Sequence, residues 1–494
     1  MKQIGRLVMM AVVLVLALST AQLAFAAYNH QGDTDSVNFR TVYPDKVGTK
    51  LDSCTLCHRG SSKPQDPVTY GSCQWCHYIT KYGDESTPEN LLKTLNPYGR
   101  DYKDNGRNAA ALLAISHVTF DSDGDGFSNQ AEIAALTYPG DPNDDPTKVP
   151  APSIVFSLEE LERMPRHTQF LLVNTSKDAS GDFYAEYSGV ALENLIKAIM
   201  LDSSKSITVY SPDGYLKKHI LNSIDEPSLY YVFGTYPPSI FYYDTQADMA
   251  INPLTGWCNY SSPSAAAREN GDAISNPDGL KMILAFKRDD EYLTPGVLNP
   301  QNKLDGEGPF RVVPPQKVPG PPDQRSTNSN PSLPWPYDRY ADHNAGESVR
   351  TVTMIKVEPL PSGTTDINTL EAGWPYVDEK KVIIYGSIDP YPVEKLNSSL
   401  DALIDMIESQ PATAFKVKSH KKTLVNKIEA IRKQVANGAY SAALNKLKED
   451  ILKKMDGYLS GAVDANDWIN DLEAQKQLCS EIQTIWIMLV LIGA

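Results

Sequence analysis

Cys54-Thr55-Leu56-Cys57-His58 and Cys73-Gln74-Trp75-Cys76-His77 decide how the first part of this chain is read. In each string two thiols three positions apart can each form a thioether with one vinyl group of the same haem. The adjacent histidine is then placed to ligate the iron from that side, which is the haem-attachment signature. Two disulfides among the four cysteines, or one zinc ion held by both pairs, are the competing readings. Neither explains why both pairs are followed by His. The expectation is a small, mostly helical and irregular dihaem domain over residues 27–150. Cys54, Cys57, Cys73 and Cys76 attach the haems, and His58 and His77 are the proximal ligands. His117 and His30 are the candidate distal ligands. Two histidines on each iron would leave no open position and favour electron transfer over substrate chemistry.

The residues before this segment bear on the compartment. Lys2 and Arg6 form a positive start, Leu7 to Leu18 an apolar run, and Ala24-Phe25-Ala26 a small-residue cleavage site. Together they predict a signal peptide over residues 1–26, because the apolar run is shorter than a span of about 20 residues. The expected location is the periplasm or the cell-envelope exterior. A second apolar run, Ile485 to Ile492, is also too short to span and predicts a buried terminal helix, so the mature chain is expected to carry no transmembrane span. A net charge of −15 over 494 residues argues against nucleic acid, whose phosphates call for a basic face.

Downstream of the haem motifs runs Asp121-Ser-Asp123-Gly-Asp125-Gly-Phe127-Ser-Asn129-Gln-Ala-Glu132. Carboxylates at positions 1, 3 and 5, Gly at 6, a backbone carbonyl at 7, Asn at 9 and Glu at 12 match an EF-hand-type loop, in which hard oxygens wrap one hard cation. Asp121, Asp123, Asp125, Phe127, Asn129 and Glu132 are therefore the expected calcium ligands, in a structural role. A solvated acidic turn is the plainer alternative. The string also resembles the calcium loops of thrombospondin type 3 and dockerin-like repeats.

From about 153 the pattern changes to short β-branched and aromatic runs. Gln169–Val173, Ile207–Tyr210, Met282–Phe286 and Val349–Val357 predict strands, and Ala191–Met200 a helix. Residues 151–389 are expected to form a β-rich α+β domain. After about 390 the spacing becomes helical. Leu396, Leu400, Leu403 and Ile407 share a face; so do Leu424, Ile428, Ile431 and Val435; so do Leu444, Leu447, Ile451 and Met455. Gly438 and Gly457 fall where helix C-caps are expected. Residues 390–494 thus predict a helical bundle, completing a multidomain fold, with Cys479 a buried structural thiol.

Ser188-Gly-Val-Ala-Leu-Glu-Asn-Leu195, Ser211-Pro-Asp213-Gly214-Tyr215, Met282-Ile-Leu-Ala-Phe286 and Gly308-Pro-Phe-Arg311-Val-Val-Pro314 resemble the molybdopterin domain of the sulfite oxidase family. That family holds molybdenum through a cysteine upstream of the Asp-Gly-Tyr turn. No cysteine occurs here between Pro150 and Asp213, so the expectation is a scaffold without molybdopterin. With the haem motifs, the Asp/Gly loop and Gly306-Glu307-Gly308-Pro309 in one chain, the whole resembles the GEGP-motif dihaem c-type cytochromes of metal-reducing bacteria. That resemblance implies electron transfer with redox partner proteins such as other cytochromes. Two alternatives stay open: a dihaem peroxidase-like or molybdopterin-type oxidoreductase, and a structural subunit docked through the C-terminal helices.

Overall fold

The computed structural model describes residues 34–52, 56–57, 95–173, 183–212, 215–222, 231–234, 239–242, 273–276, 279–299, 304–315, 344–367, 373–460 and 462–493. The chain divides into two compact units. The first runs through Pro150, with two short later pieces, and the second holds nearly all the rest through Ala494. Helices and mixed sheets make up the fold.

The first unit is built on α1 (Thr34–Val42), α2 (Pro97–Asp104), α3 (Ala109–Ile115) and α4 (Asn129–Ala135). Its core gathers Phe39, Leu51, Leu56, Tyr98, Tyr102, Leu112, Ile115, Ile133 and Tyr138. So small a core relies on well-terminated helices, and the starts of three are capped by side chains. Asn96 accepts from Gly99 N, Asn108 from Ala111 N and Ser128 from Ala131 N. Each cap pairs one of the amide groups that the first turn of a helix leaves without a partner.

The second unit contains two five-stranded sheets. One runs β1 (Ser153–Ser157), β10 (Lys381–Gly386), β9 (Met354–Glu358), β4 (Ser206–Tyr210) and β5 (Leu216–Ile220), with only β9 and β10 parallel. The other runs β7 (Glu291–Tyr292), β6 (Ile283–Arg288), β3 (Phe183–Ala191) and β2 (Arg166–Val173), with β8 (Arg311–Val313) also pairing β6. The β3–β6 register shifts at Ser188/Gly189. A Cβ on Gly189 would lie 2.0 Å from the Leu284 carbonyl oxygen, so no other residue fits there. Helix α5 (Leu158–Glu162) starts with a capping box between Ser157 and Glu160.

Helices α6 (Leu192–Ile199), α7 (Val393–Ser409), α8 (Lys418–Ala436), α9 (Tyr440–Lys446) and α10 (Leu472–Leu491) share one continuous core with these sheets. Phe156, Leu195, Ile207 and Ile355 belong to the same cluster as Leu400, Ile428 and Ile485. Asn194 on α6 donates to Gln483 on α10 at 2.6 Å, and the Trp486 indole donates to the Arg163 carbonyl at 2.8 Å. The helices after 390 are thus packed into the β-rich unit. Cys479 on α10 is fully buried, its Sγ 3.3 Å from the Met455 carbonyl.

Gly306-Glu307-Gly308-Pro309 places a carboxylate among cations. The Glu307 carboxylate accepts from Arg288 Nη1 at 2.7 Å, from Arg311 Nη1, and from the Tyr187 hydroxyl at 3.2 Å. Arg311 is 4% exposed and also donates to Tyr187 and Ser348. Burial alone would raise the Glu307 pKa; the Arg311 and Arg288 guanidinium groups outweigh it and hold the carboxyl below its usual range. Glu307 is therefore the counterion that lets Arg311 sit on β8 inside the sheet, which a charge could not do alone. Gly308 packs so closely on Leu293 that a Cβ would lie 2.4 Å from its carbonyl oxygen.

Candidate metal centre

The loop over residues 121–132 joins α3 to α4, and its shape follows from its side chains. Asp121 accepts from Gly124 N at 2.8 Å and from Gly126 N at 3.0 Å. Asp123 accepts from Asp125 N at 3.3 Å, and Asp125 from Phe127 N at 2.8 Å. Gly124 and Gly126 have φ of +79° and +99°, a region costly for residues with a Cβ. The chain is wound so that one oxygen each from Asp121, Asp123 and Asp125 lies within 4.8 Å of the others.

Glu132, on the first turn of α4, stands near enough to these carboxylates for their charges to act on it. It is 0% exposed, and neither carboxylate oxygen has a hydrogen-bond partner. Asp123 Oδ2 and Asp125 Oδ2 are likewise buried without partners. Burial, and then the carboxylates of Asp123, Asp125, Asp121 and Asp144, push Glu132 up to about 9. Asp123 is pushed up to about 6, by burial first and then by Asp125. Four unsatisfied buried oxygens among converging carboxylates are costly unless protons or a cation compensate them. The donor set is all oxygen, which suits a hard cation such as calcium and not a soft metal.

Asn129, expected at the ninth ligand position, is spent elsewhere. Its Nδ2 donates to the Ile115 carbonyl at 2.8 Å and to Ser122 Oγ at 2.8 Å, and its Oδ1 accepts from Ser122 N at 2.9 Å. The Ile115 carbonyl ends α3 and needs a donor from outside that helix. Asn129 thus bolts the loop to α3. Ser122 bolts it to α2, donating to Asp101 Oδ2 at 2.6 Å. Phe127 is half-buried in the loop.

Of the expected haem residues, Cys54, His58, Cys73, Cys76, His77 and His30 lie outside the described residues. Cys57 lies within them, and its backbone is fixed. Asn96 N donates to the Cys57 carbonyl at 2.9 Å, and Asn96 Nδ2 donates to the Leu56 carbonyl at 2.9 Å, while Asn96 Oδ1 caps α2. Gly99 on α2 lies against the same carbonyl; a Cβ there would come within 2.2 Å of it. His117 follows α3 with an exposed ring, its Nδ1 3.0 Å from Thr119 Oγ1. Cys57, His117 and the acidic loop all belong to the first unit.

Sequence reasoning missed two supports of this unit. Asn96 followed by Pro97 is an N-cap signature and was legible. Lys50 and Asp144 form a buried ion pair at 2.9 Å that no local pattern announces. Asp144 also accepts from Tyr138 N at 3.0 Å, and the Lys50 ammonium lies 4.7 Å from the Tyr138 ring centre. In the second unit His167 is buried and pushed down to about 3, chiefly by burial, so its ring is neutral. No family model, curated protein or solved structure matches the chain.

Proposed function

We propose that this protein is an exported dihaem c-type cytochrome that carries electrons in the cell envelope, with a calcium ion bracing its haem-bearing unit. The observation that carries the reading is the pair of CxxCH strings at 54–58 and 73–77. Cys54, Cys57, Cys73 and Cys76 would hold the haems, with His58 and His77 as proximal ligands and His117 and His30 as distal candidates. The haems would supply one-electron exchange at iron. The protein's own part is to fix the attachment segment, and the hold of Asn96 on Leu56 and Cys57 supports that role. Asp121, Asp123, Asp125 and Glu132 would hold the calcium ion, joined by the Phe127 carbonyl. The support is the set of buried, unpartnered carboxylate oxygens. Residues 151–389 are read as a sulfite oxidase-like scaffold without molybdopterin, 390–494 as a helical bundle, and partners as other redox proteins. No helix among the described residues is long and apolar enough to cross a membrane.

The test is mass and optical analysis of the mature protein, with reduced-minus-oxidised spectra and a carbon monoxide titration. Two covalent haems with no carbon monoxide shift are expected for an electron carrier with both irons six-coordinate. One haem that binds carbon monoxide would favour the peroxidase-like alternative, and absence of covalent haem would refute the reading.

A further inference from the structure

We propose that the start of α8, around Lys418 and Lys422, docks the protein on an anionic lipid surface. This inference does not rest on the haem reading. The chain carries a net charge of −15, yet residues 416–454 hold eleven Lys/Arg against three Asp/Glu. Nearby acidic groups offset part of it, since Asp401 pairs with Arg432 and Asp456, Asp464 and Asp467 cluster next to Trp468; the excess that faces outward rests on Lys418 and Lys422.

The placement of the lysines runs against helix stability. The first turn of α8 contains no acidic residue, and no side chain caps it. Lys418, Lys421 and Lys422 stand instead at the positive end of the helix dipole, where cations are unfavourable. Lys418 and Lys422 are also like charges at i,i+4 spacing, a second small cost. Both are exposed and take no ion-pair partner among the described residues. An anionic surface would relieve both costs.

The apolar surroundings indicate which kind of anion. Val417, between Lys416 and Lys418, is 51% exposed. Trp468 is half-buried beside it, with Lys416 N donating to its carbonyl at 2.9 Å and the His420 ring stacked on its indole at 4.4 Å. Lys427 and Lys454 stand 6.0 and 5.9 Å from the same ring. Lysine is depleted in the cores of protein–protein interfaces. Clustered lysines with a tryptophan and an exposed apolar residue are instead the composition of a face that meets lipid headgroups. With no spanning helix among the described residues, the contact is peripheral.

The experiment is co-sedimentation of the full chain with vesicles of phosphatidylcholine containing one third phosphatidylglycerol, against phosphatidylcholine alone. Binding to the anionic vesicles only, reversed by molar salt, is expected. Lys418→Gln with Lys422→Gln should weaken it about 25-fold, from roughly fivefold per lysine near the surface. Glutamine keeps helix propensity and removes both unfavourable charges, so the melting curve should not fall. Lys381→Gln, which removes a lysine paired with Glu379 on β10, should bind like the parent. Equal binding to both vesicle types, or an unaffected double variant, would overturn the proposal. Capture of poly-glutamate by this face without vesicle binding would overturn it in favour of an acidic protein partner.

Discussion

Glu132→Gln should stabilise the metal-free protein while abolishing its response to calcium. In the fold the Glu132 carboxyl titrates near 9, against an ordinary value of 4.5. At pH 7 the fold must therefore keep a proton that the unfolded chain releases. Over about 2.5 pH units that costs about 3 kcal/mol. The sign follows from the raised value. The penalty is absent below about pH 4.5, grows as pH rises, and is complete above about pH 9. The metal-free protein should thus lose stability between pH 5 and 8. Glutamine has the same shape and no charge to suppress, so the variant should gain about 3 kcal/mol at pH 7 and lose most of that slope. Asp123, pushed up to about 6, leaves a smaller residual slope. A cation reverses the logic, because it binds the ionised carboxylates and displaces their protons. Calcium should raise the melting temperature of the parent, more at pH 8 than at pH 5, and leave the variant's unchanged. Thermal melts by circular dichroism in chelator and in calcium, with a calorimetric calcium titration, read all of these. A variant no more stable than its parent in chelator at pH 7, or one that binds calcium equally well, would refute the reasoning.

Asn96→Ala removes the cap of α2 and the donor to the buried Leu56 carbonyl. A loss of about 2–4 kcal/mol is expected in chemical denaturation, and a loss under about 0.5 would show that water replaces both contacts. Glu307→Gln leaves Arg311, 4% exposed, without its counterion and should cost about 3 kcal/mol or more. A melt indistinguishable from the parent's would show that Tyr187 and Ser348 suffice. Deletion of residues 390–494 removes α7, α8, α9 and α10 from a core shared with the sheets. The truncated chain should be insoluble or bind hydrophobic dyes, and a cooperative melt from it would argue that the bundle is dispensable.

The helical part of the fold was legible because its signal is local. Leu396, Leu400, Leu403 and Ile407, and Leu424, Ile428, Ile431 and Val435, are buried on one face of α7 and of α8 as their spacing predicts. Gly438 ends α8 with φ of +70°, as expected of a cap. The third set is more complex. Leu447, Ile451 and Met455 are buried, but a π-turn over Leu447–Ile451 and a 3-10 turn over Leu452–Lys454 replace a regular helix. Gly457 is not a cap; it is small because a Cβ would lie 2.1 Å from Asp467 Oδ2. Val349–Val357 reads as one strand, yet the strand is only Met354–Glu358; Val349 and Val352 bond Val312 and Phe310 instead, around Thr351 with φ of +53°. Long-range pairings stayed hidden. The role of Glu307 depends on Tyr187 and Arg288, which no window around the motif contains.

The acidic loop lies between these cases. Its winding was legible because Asp121, Asp123 and Asp125 are close in sequence and each accepts from backbone near itself. Its anchorage was not, because Asp101, Ile115 and Asp144 come from other segments. That anchorage gives the proposed ion its mechanical meaning. Ser122 and Asn129 tie the loop to α2 and α3. Asp144 adds to the charge that raises Glu132 and at the same time holds Lys50, four residues before Cys54. Helix α2, through Asn96, fixes Leu56 and Cys57. The loop and the first CxxCH string therefore share supports, at Lys50 before the string and at Leu56 and Cys57 within it. Neutralising the loop would stiffen the same helices that hold Cys57, so an ion bound to carboxylates alone can steady a segment it does not touch.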